Sequence, residues 1–319
     1  MIFRSAIFAL SSLLLHATAG AIDPAAVNNP AQQPITDGAK GAGVVRAQIL
    51  LARAHFSCGE IDGVFGTNFQ KALNAFQGER KLQPTGTLDA ATWVALNTDT
   101  APVLINYALT PEDLKGPFAP IPPDVKDQAK LPAMSYTSPL EQTGEKFHSS
   151  PELLQALNPG AKFDREGQQL MVPNVLVMPP SQQAASIVIS KGESSVRAYD
   201  ASGALLAFYA ATIGSEHDPL PLGEWKINGV AREPKFHYNP ELFWDAKKSA
   251  DKQTLPPGPN NPVGLAWIDL SKDHYGIHGT PEPGKVGHAT SHGCIRLTNW
   301  DVLELAAIVR PGTPATLKE

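Results

Sequence analysis

His278, His288, His292 and Cys294 fall within seventeen residues, in the stretch YGIHGTPEPGKVGHATSHGCIRLTN from Tyr275 to Asn299. A thiol attacks as thiolate, and a free cysteine has a pKa of ~8.5, so at neutral pH it needs a neighbouring base or positive charge. A histidine supplies both, first taking the proton and later returning it to a leaving amine. His278 is the expected base and Cys294 the nucleophile. His292, two residues before the sulfur, shares its face if the backbone is extended there. Gly293 permits a sharp backbone and leaves the sulfur approachable, and the amides of Gly293 and Cys294 are candidates to face an oxyanion. Arg296 is a candidate fork for a substrate carboxylate, or else one half of a structural ion pair. Other readings of the cluster are a buried structural cysteine, a zinc site and a redox thiol. Four such groups in a Gly/Pro-rich loop make a poor core. The spacings fit neither a C-x-x-C pair nor an H-E-x-x-H helix. No resolving thiol is near in sequence. The catalytic reading fits best.

Sixteen residues separate His278 from Cys294, up to ~53 Å of extended chain at ~3.3 Å per residue. Pro281, Pro283, Gly284 and Gly287 in between are turn formers and predict a fold-back. An apolar strand-like run from Leu265 through Ile268 and Ile277 ends at His278, and Cys294-Ile295-Arg296-Leu297 starts another alternating segment. Two such segments joined by a turning loop bring imidazole and sulfur together. Around them the sequence predicts short strands from Ala184 onward: Ser186–Ile189, Ser195–Tyr199 and Leu205–Tyr209, with turns at Gly192 and Asp200–Gly203. A closing helix is capped by Thr298 and Asp301, buries Val302, Leu305, Ala306 and Val309, and ends at Pro311-Gly312. These 135 residues, 184–318, predict a mainly antiparallel β domain.

The preceding chain divides into further units. Residues 1–19 carry Arg4, an apolar run from Ala6 to Leu15, and Ala17-Thr18-Ala19, the pattern of an export signal too short to span a bilayer. Residues 20–39 read as a tether. Residues 40–98 predict a three-helix bundle: Val45, Ile49 and Ala52 on the first helix, a Thr67–Gln70 capping box before Phe69, Leu73 and Phe76 on the second, Trp93 and Leu96 on the third. Residues 99–135 read as a linker, because seven prolines between Pro111 and Pro139 favour extended, semi-rigid chain that holds its neighbours apart. Residues 136–180 predict a small α/β module in which Ser150-Pro151 opens a helix and Asn158-Pro159-Gly160 stops it. The fold class is therefore multidomain α+β. Two cysteines, Cys58 and Cys294, are too few for a disulfide scaffold, and Cys58 reads as an inert, partly buried thiol. The net charge of −5 gives no reason to expect nucleic acid.

Three resemblances follow from these motifs. H-G-T, a glycine-containing loop and S-H-G-C-I-R-L resemble the signature of the L,D-transpeptidase catalytic domain, and Asp218–Ile227 resembles that family's T-P-x-G-x-W/F-x-I run with a short insertion. The segment GEIDGVFGTNFQKALNAFQGERKLQPTGTLDAATWVAL resembles a peptidoglycan-binding domain. TGEKFHSSPELLQALNPGAKFDREGQQLMVPN resembles a lysin motif, although Ser138–Glu141 departs from that family's glycine-aspartate turn.

The catalytic resemblance implies Cys294 as nucleophile, His278 as proton acceptor and donor, and Ser291, His292 and Arg296 near the substrate. It implies acyl transfer from a peptidoglycan stem tetrapeptide, releasing D-alanine, to an amine of a second stem or of a wall-attached protein. Water as acceptor would make the site an L,D-carboxypeptidase, and loss of activity would leave a wall-binding protein. Gly279 stands where some relatives carry a serine. The modules imply contact with wall glycan, or a role as spacers. The implied location is periplasm or cell wall, with no cofactor, no metal and no membrane span after signal removal.

Overall fold

The computed structural model describes residues 20–215, 217–242, 251–291 and 293–319; the expected export signal and His292 lie outside them. The N-terminal unit contains α1 (Pro24–Asn28), α2 (Ala42–Arg53), β1 (Phe56–Ser57), α3 (Thr67–Glu79) and α4 (Ala90–Leu96). Val45, Ile49, Leu50 and Leu51 of α2 meet Phe69, Leu73 and Phe76 of α3 and Trp93 and Leu96 of α4 in one core. The predicted capping box does not form. Gly66 is the N-cap of α3 without a side-chain cap, and Thr67 is already helical. The segment read as a tether is folded onto the bundle. Asp23 caps α1, Ile35 bridges to Leu88, and the Trp93 indole donates to the Gln33 carbonyl at 3.0 Å.

The middle module consists of β2 (Leu104–Ala108), α5 (Val125–Gln128), α6 (Pro139–Lys146), α7 (Pro151–Leu157) and β3 (Gln169–Pro173). Ser150 caps α7 by accepting from the Leu153 amide, as its sequence predicts. β2, however, comes from the stretch read as linker, and pairs antiparallel with β3 from Leu104↔Pro173 to Ala108↔Gln169. Pro102 precedes the strand and the next proline is Pro111, so Leu104–Ala108 itself carries none and its donors are free to pair. Leu109, Phe147, Leu154, Phe163, Leu170 and Val172 form the module's own core.

The C-terminal domain contains β4 (Ser186–Ser190), β5 (Ser195–Tyr199), β6 (Leu205–Ala210), β7 (Thr212–Ile213), β8 (Gly223–Arg232), β9 (Phe236–Tyr238), β10 (Gln253–Leu255), β11 (Ala266–Leu270), β12 (Gly276–His278), β13 (Ile295–Arg296), α8 (Asn299–Ile308) and β14 (Pro314–Lys318). Among the described residues, one sheet runs β1-β6-β5-β4-β14-β8-β11-β12-β13-β7, and β9 pairs separately with β10. Its pairings are antiparallel except β1·β6, β4·β14 and β12·β13. Thr298 caps α8 by accepting from the Asp301 amide, and Val302 and Leu305 pack onto the sheet.

The three units are not held apart. β1 of the bundle adds a parallel strand to the free edge of β6, covering backbone groups that would otherwise be exposed. Successive side chains of a strand point to opposite faces, so Tyr209 enters the sheet-domain core while Phe208 joins the bundle core. Ser57 donates to Asp301 at 2.9 Å and His55 meets Glu304 at 3.0 Å. The proline-rich stretch implied separation, but apolar burial at β6 and polar contacts with α8 override it.

Candidate active site

The parallel pairing of β12 with β13 aligns Ile277 with Ile295 and His278 with Arg296. Extending that register by one residue sets Gly276 opposite Cys294. Side chains alternate across a strand, so Ile277 and Ile295 enter the core while His278, Arg296 and Cys294 share the other face. Cys294 and His278 are then diagonal neighbours, with the side-chain-free Gly276 between them. The Leu297 amide donates to the His278 carbonyl at 2.8 Å and locks the register.

β11 lies antiparallel on the other side of β12 and pairs Trp267 with His278. The two rings stack, with centroids 5.5 Å apart and planes 15° apart. A side chain at position 276 would come within 2.4 Å of the indole, so only glycine lets Trp267 lie here. His278 is 4 % exposed, and its Nδ1 meets the Gly279 carbonyl at 2.7 Å. A carbonyl only accepts, so Nδ1 carries the proton and Nε2 keeps its lone pair. Burial is the main cause that lowers the imidazole from about 6.5 to about 4; the Gly279 carbonyl pulls upward and Arg296 pushes down. The ring is neutral at pH 7.

Gly279 is in turn held from outside the strand. Asn299, at the start of α8, accepts from the Leu265 amide at 3.0 Å. It donates to both oxygens of Glu145 and to the Pro259 carbonyl, each at 3.1 Å. Its Oδ1 lies so close to Gly279 and Gly264 that a Cβ would sit 2.3 Å and 2.1 Å from it respectively. Glu145 belongs to α6 of the middle module; burial pushes its carboxyl to about 8, partly opposed by the Asn299 hydrogen bond. The orienting contact of His278 is thus a backbone carbonyl braced by a second domain.

Cys294 is half-buried, and its thiol reaches the His274 carbonyl at 3.8 Å. Burial raises its pKa; a backbone hydrogen bond from Gly276 and the Arg296 charge pull the other way. Thiol and imidazole are therefore both uncharged at rest. Gly293 has φ +95°, a conformation that favours glycine, and a Cβ there would approach the Tyr275 ring at 3.0 Å. Arg296 is half-buried and has no ion pair among the described residues, and its Nε has no hydrogen-bond partner. Its electrostatic neighbours are Cys294 and Glu282.

Of the residues read from sequence, His278, Cys294, Gly293 and Arg296 come together. Ser291 was expected to meet substrate, but it is 3 % exposed and its hydroxyl donates to the Cys294 carbonyl, closing the turn before the sulfur. His288 lies away from this face, against Asn68 of the bundle. Cys58 and Cys294 are both free thiols, and Cys58 is buried. Trp267, Asn299 and Glu145 were missed. The alternation of Trp267 with the core residue Ile268 was a signal for the first; nothing local marks the other two.

Comparison with known proteins places the chain in a family. The model of the L,D-transpeptidase catalytic domain matches residues 184–317, and that of a putative peptidoglycan binding domain matches 40–96. A putative L,D-transpeptidase YkuD of Bacillus licheniformis is 32% identical over 180 residues, 56% of this chain and 92% of the relative. A probable L,D-transpeptidase ErfK/SrfK of Escherichia coli is 29% identical over 184 residues, 56% of this chain and 58% of the relative. A solved L,D-transpeptidase from Xylanimonas cellulosilytica aligns over 91% of this chain and 99% of its own, at TM-score 0.38 and 15% identity. The chain belongs to the L,D-transpeptidase family, carrying its catalytic domain behind an N-terminal peptidoglycan-binding domain.

Proposed function

We propose that Cys294 and His278 carry out peptidoglycan L,D-transpeptidation by acyl transfer through a thioester. The observation that carries this reading is the β12–β13 register, which puts thiol, imidazole and guanidinium on one face. The thiol turns from the His274 carbonyl toward His278, whose Nε2 takes its proton as sulfur bonds to the stem-peptide carbonyl. The carbonyl electron pair moves to oxygen, near the amides of Gly293 and Cys294. Collapse of that adduct breaks the bond to D-alanine, whose amine takes the proton back from His278. The acceptor amine attacks the thioester, His278 removes its extra proton, and the Cys294 thiol is restored. A neutral pair suits this cycle, because the base is unprotonated at rest and the charges arise only during attack. The unpaired Arg296 is suited to a carboxylate of the donor stem.

The acceptor is a stem-peptide amine in this reading, with a wall-attached protein as the alternative; water would give hydrolysis. His292 stands two residues before the nucleophile in sequence. The peptidoglycan-binding domain, and the lysin-motif-like module with it, would hold the enzyme on the sacculus. Export by residues 1–19 would place it in the periplasm or wall. Among the described residues no helix is long and apolar enough to cross a membrane. The mature chain, incubated with a disaccharide tetrapeptide, should gain one acyl group by mass spectrometry. No adduct, or an undiminished adduct in Cys294→Ala, would defeat the assignment.

A further inference from the structure

We propose that Trp267 is a positioning residue of the reaction: its indole fixes the plane in which the His278 imidazole exchanges a proton with Cys294. The proposal rests on the catalytic reading of Cys294 and His278 and adds a residue to it. Trp267 lies on β11 and is half-buried, while its neighbours Ala266 and Ile268 are fully buried in the sheet-domain core. It belongs to none of the apolar cores formed by the described residues. Three contacts nevertheless fix its ring. Its Nε1 donates to Asp269 Oδ1 at 3.3 Å, and Asn228 donates to Asp269 Oδ2 at 2.9 Å. Its benzo edge covers Gly276, where a Cβ would meet three indole atoms at 2.4, 2.6 and 2.9 Å. Its face stacks on His278, with centroids 5.5 Å and planes 15° apart, the geometry of an offset stack.

The sheet register gives these contacts their meaning. Trp267 pairs with His278 and His278 with Arg296, so the imidazole stands in a cross-strand row between an indole and an arginine chain. Gly276, beneath the benzo edge, is the residue that the extended register sets opposite Cys294. One fixed surface thus runs from the base to the position facing the sulfur. Between these neighbours the imidazole cannot swing sideways in a packed site, and the Gly279 carbonyl at 2.7 Å holds its Nδ1 edge. The stack also keeps water from one face of the ring. The charged groups around His278 are few. Arg296 on β13 pushes its pKa down, Asp269 on β11 is tied to Trp267 and Asn228, and Glu145 on α6 reaches it only through Asn299. Burial is the main cause of the value of about 4. Removing the indole opens that face to water, which favours the imidazolium and moves the titration upward, toward ~6.5.

The test reads the base and the reaction separately, both in the full chain. In Cys294→Ala, NMR titration of the His278 imidazole should give a midpoint that rises by about one pH unit or more when Trp267→Ala is added, and stays near its starting value with Trp267→Phe. With Cys294 present, single-turnover acylation by a disaccharide tetrapeptide at pH 7 should slow about tenfold or more in Trp267→Ala, with substrate affinity changed less than about threefold. Trp267→Phe keeps a stacking ring and should recover most of that rate. The acid limb of kcat/KM should move up with the imidazole in Trp267→Ala. If Trp267→Ala does not fold, Trp267→Gln, whose side chain fills space without stacking, reads the same two quantities. Absence of acylation in the wild type would overturn the catalytic reading and this proposal with it. Normal acylation in the wild type, together with an unmoved midpoint or an undiminished rate in Trp267→Ala, would overturn the proposal alone.

Discussion

Gly279→Ala should cripple acylation while leaving the fold in place. The new Cβ would stand 2.3 Å from Asn299 Oδ1 and 3.2 Å from both Gly264 Cα and a Val302 methyl. Asn299 cannot retreat freely, because four hydrogen bonds fix its amide to Leu265, Glu145 and Pro259. Ordinary contact needs more than 3.4 Å, so the 279 peptide must give way by about 1 Å in a packed interior. The same peptide carries the carbonyl that holds His278 Nδ1 at 2.7 Å. Overpacking costs about 1–3 kcal/mol of stability. A base displaced by about 1 Å costs on the order of a hundredfold in rate. Single-turnover acylation with a disaccharide tetrapeptide reads the rate, and thermal melting reads the stability. The acylation constant at saturation should fall by about a hundredfold, with substrate affinity changed less than threefold. Asn299→Ala in the same chain removes the opposing oxygen and should recover part of that rate, although it destabilises the fold further. Wild-type acylation in Gly279→Ala, or a double variant slower than both singles, would refute the view that this peptide positions the imidazole.

Arg296→Lys keeps the charge but loses the planar fork, and should lower kcat/KM about ten- to a hundredfold through KM; a wild-type KM would remove the guanidinium from substrate binding. Because His278 is lowered to about 4, kcat/KM should stay high down to about pH 5 and fall only below it; an acid limb near 6.5 would show the imidazole to be far less buried than the fold indicates. Melting temperature should fall between pH 6.5 and 8.5. Asp301, Glu145 and Glu60 are raised to about 8, about 8 and about 7, so across that range the folded chain binds protons that the unfolded chain has lost. His148 and His278, lowered to about 3 and about 4, act oppositely, but only below about 6.5, where the unfolded chain binds more protons. Asp301→Asn should flatten the decline, and a melting temperature that rises across this interval would contradict it. Phe208→Ala should destabilise by about 3–5 kcal/mol, as expected for emptying a core; a loss below 1 kcal/mol would mean that the bundle and sheet do not share one.

What the sequence determined by itself is the candidate chemical groups and the local frame around them. A thiol preceded by glycine, an upstream histidine at the end of an apolar strand, and turn formers between them are local features, legible because each depends on side-chain type and near spacing. Helix positions were equally legible wherever apolar periodicity spoke, as on α2, α3, α7 and α8. Tertiary structure decided the rest. Strand β2 was lost among prolines because its partner lies more than sixty residues away, at β3, and a pairing of that range leaves no local trace. The seating of the bundle on β6, the stacking of Trp267 on His278, and the brace from Glu145 through Asn299 to Gly279 all join distant segments. Side chains of ordinary type acquire such roles only when folding sets them edge to edge. The sequence could propose a nucleophile and a base, but only packing shows what holds the His278 imidazole in place.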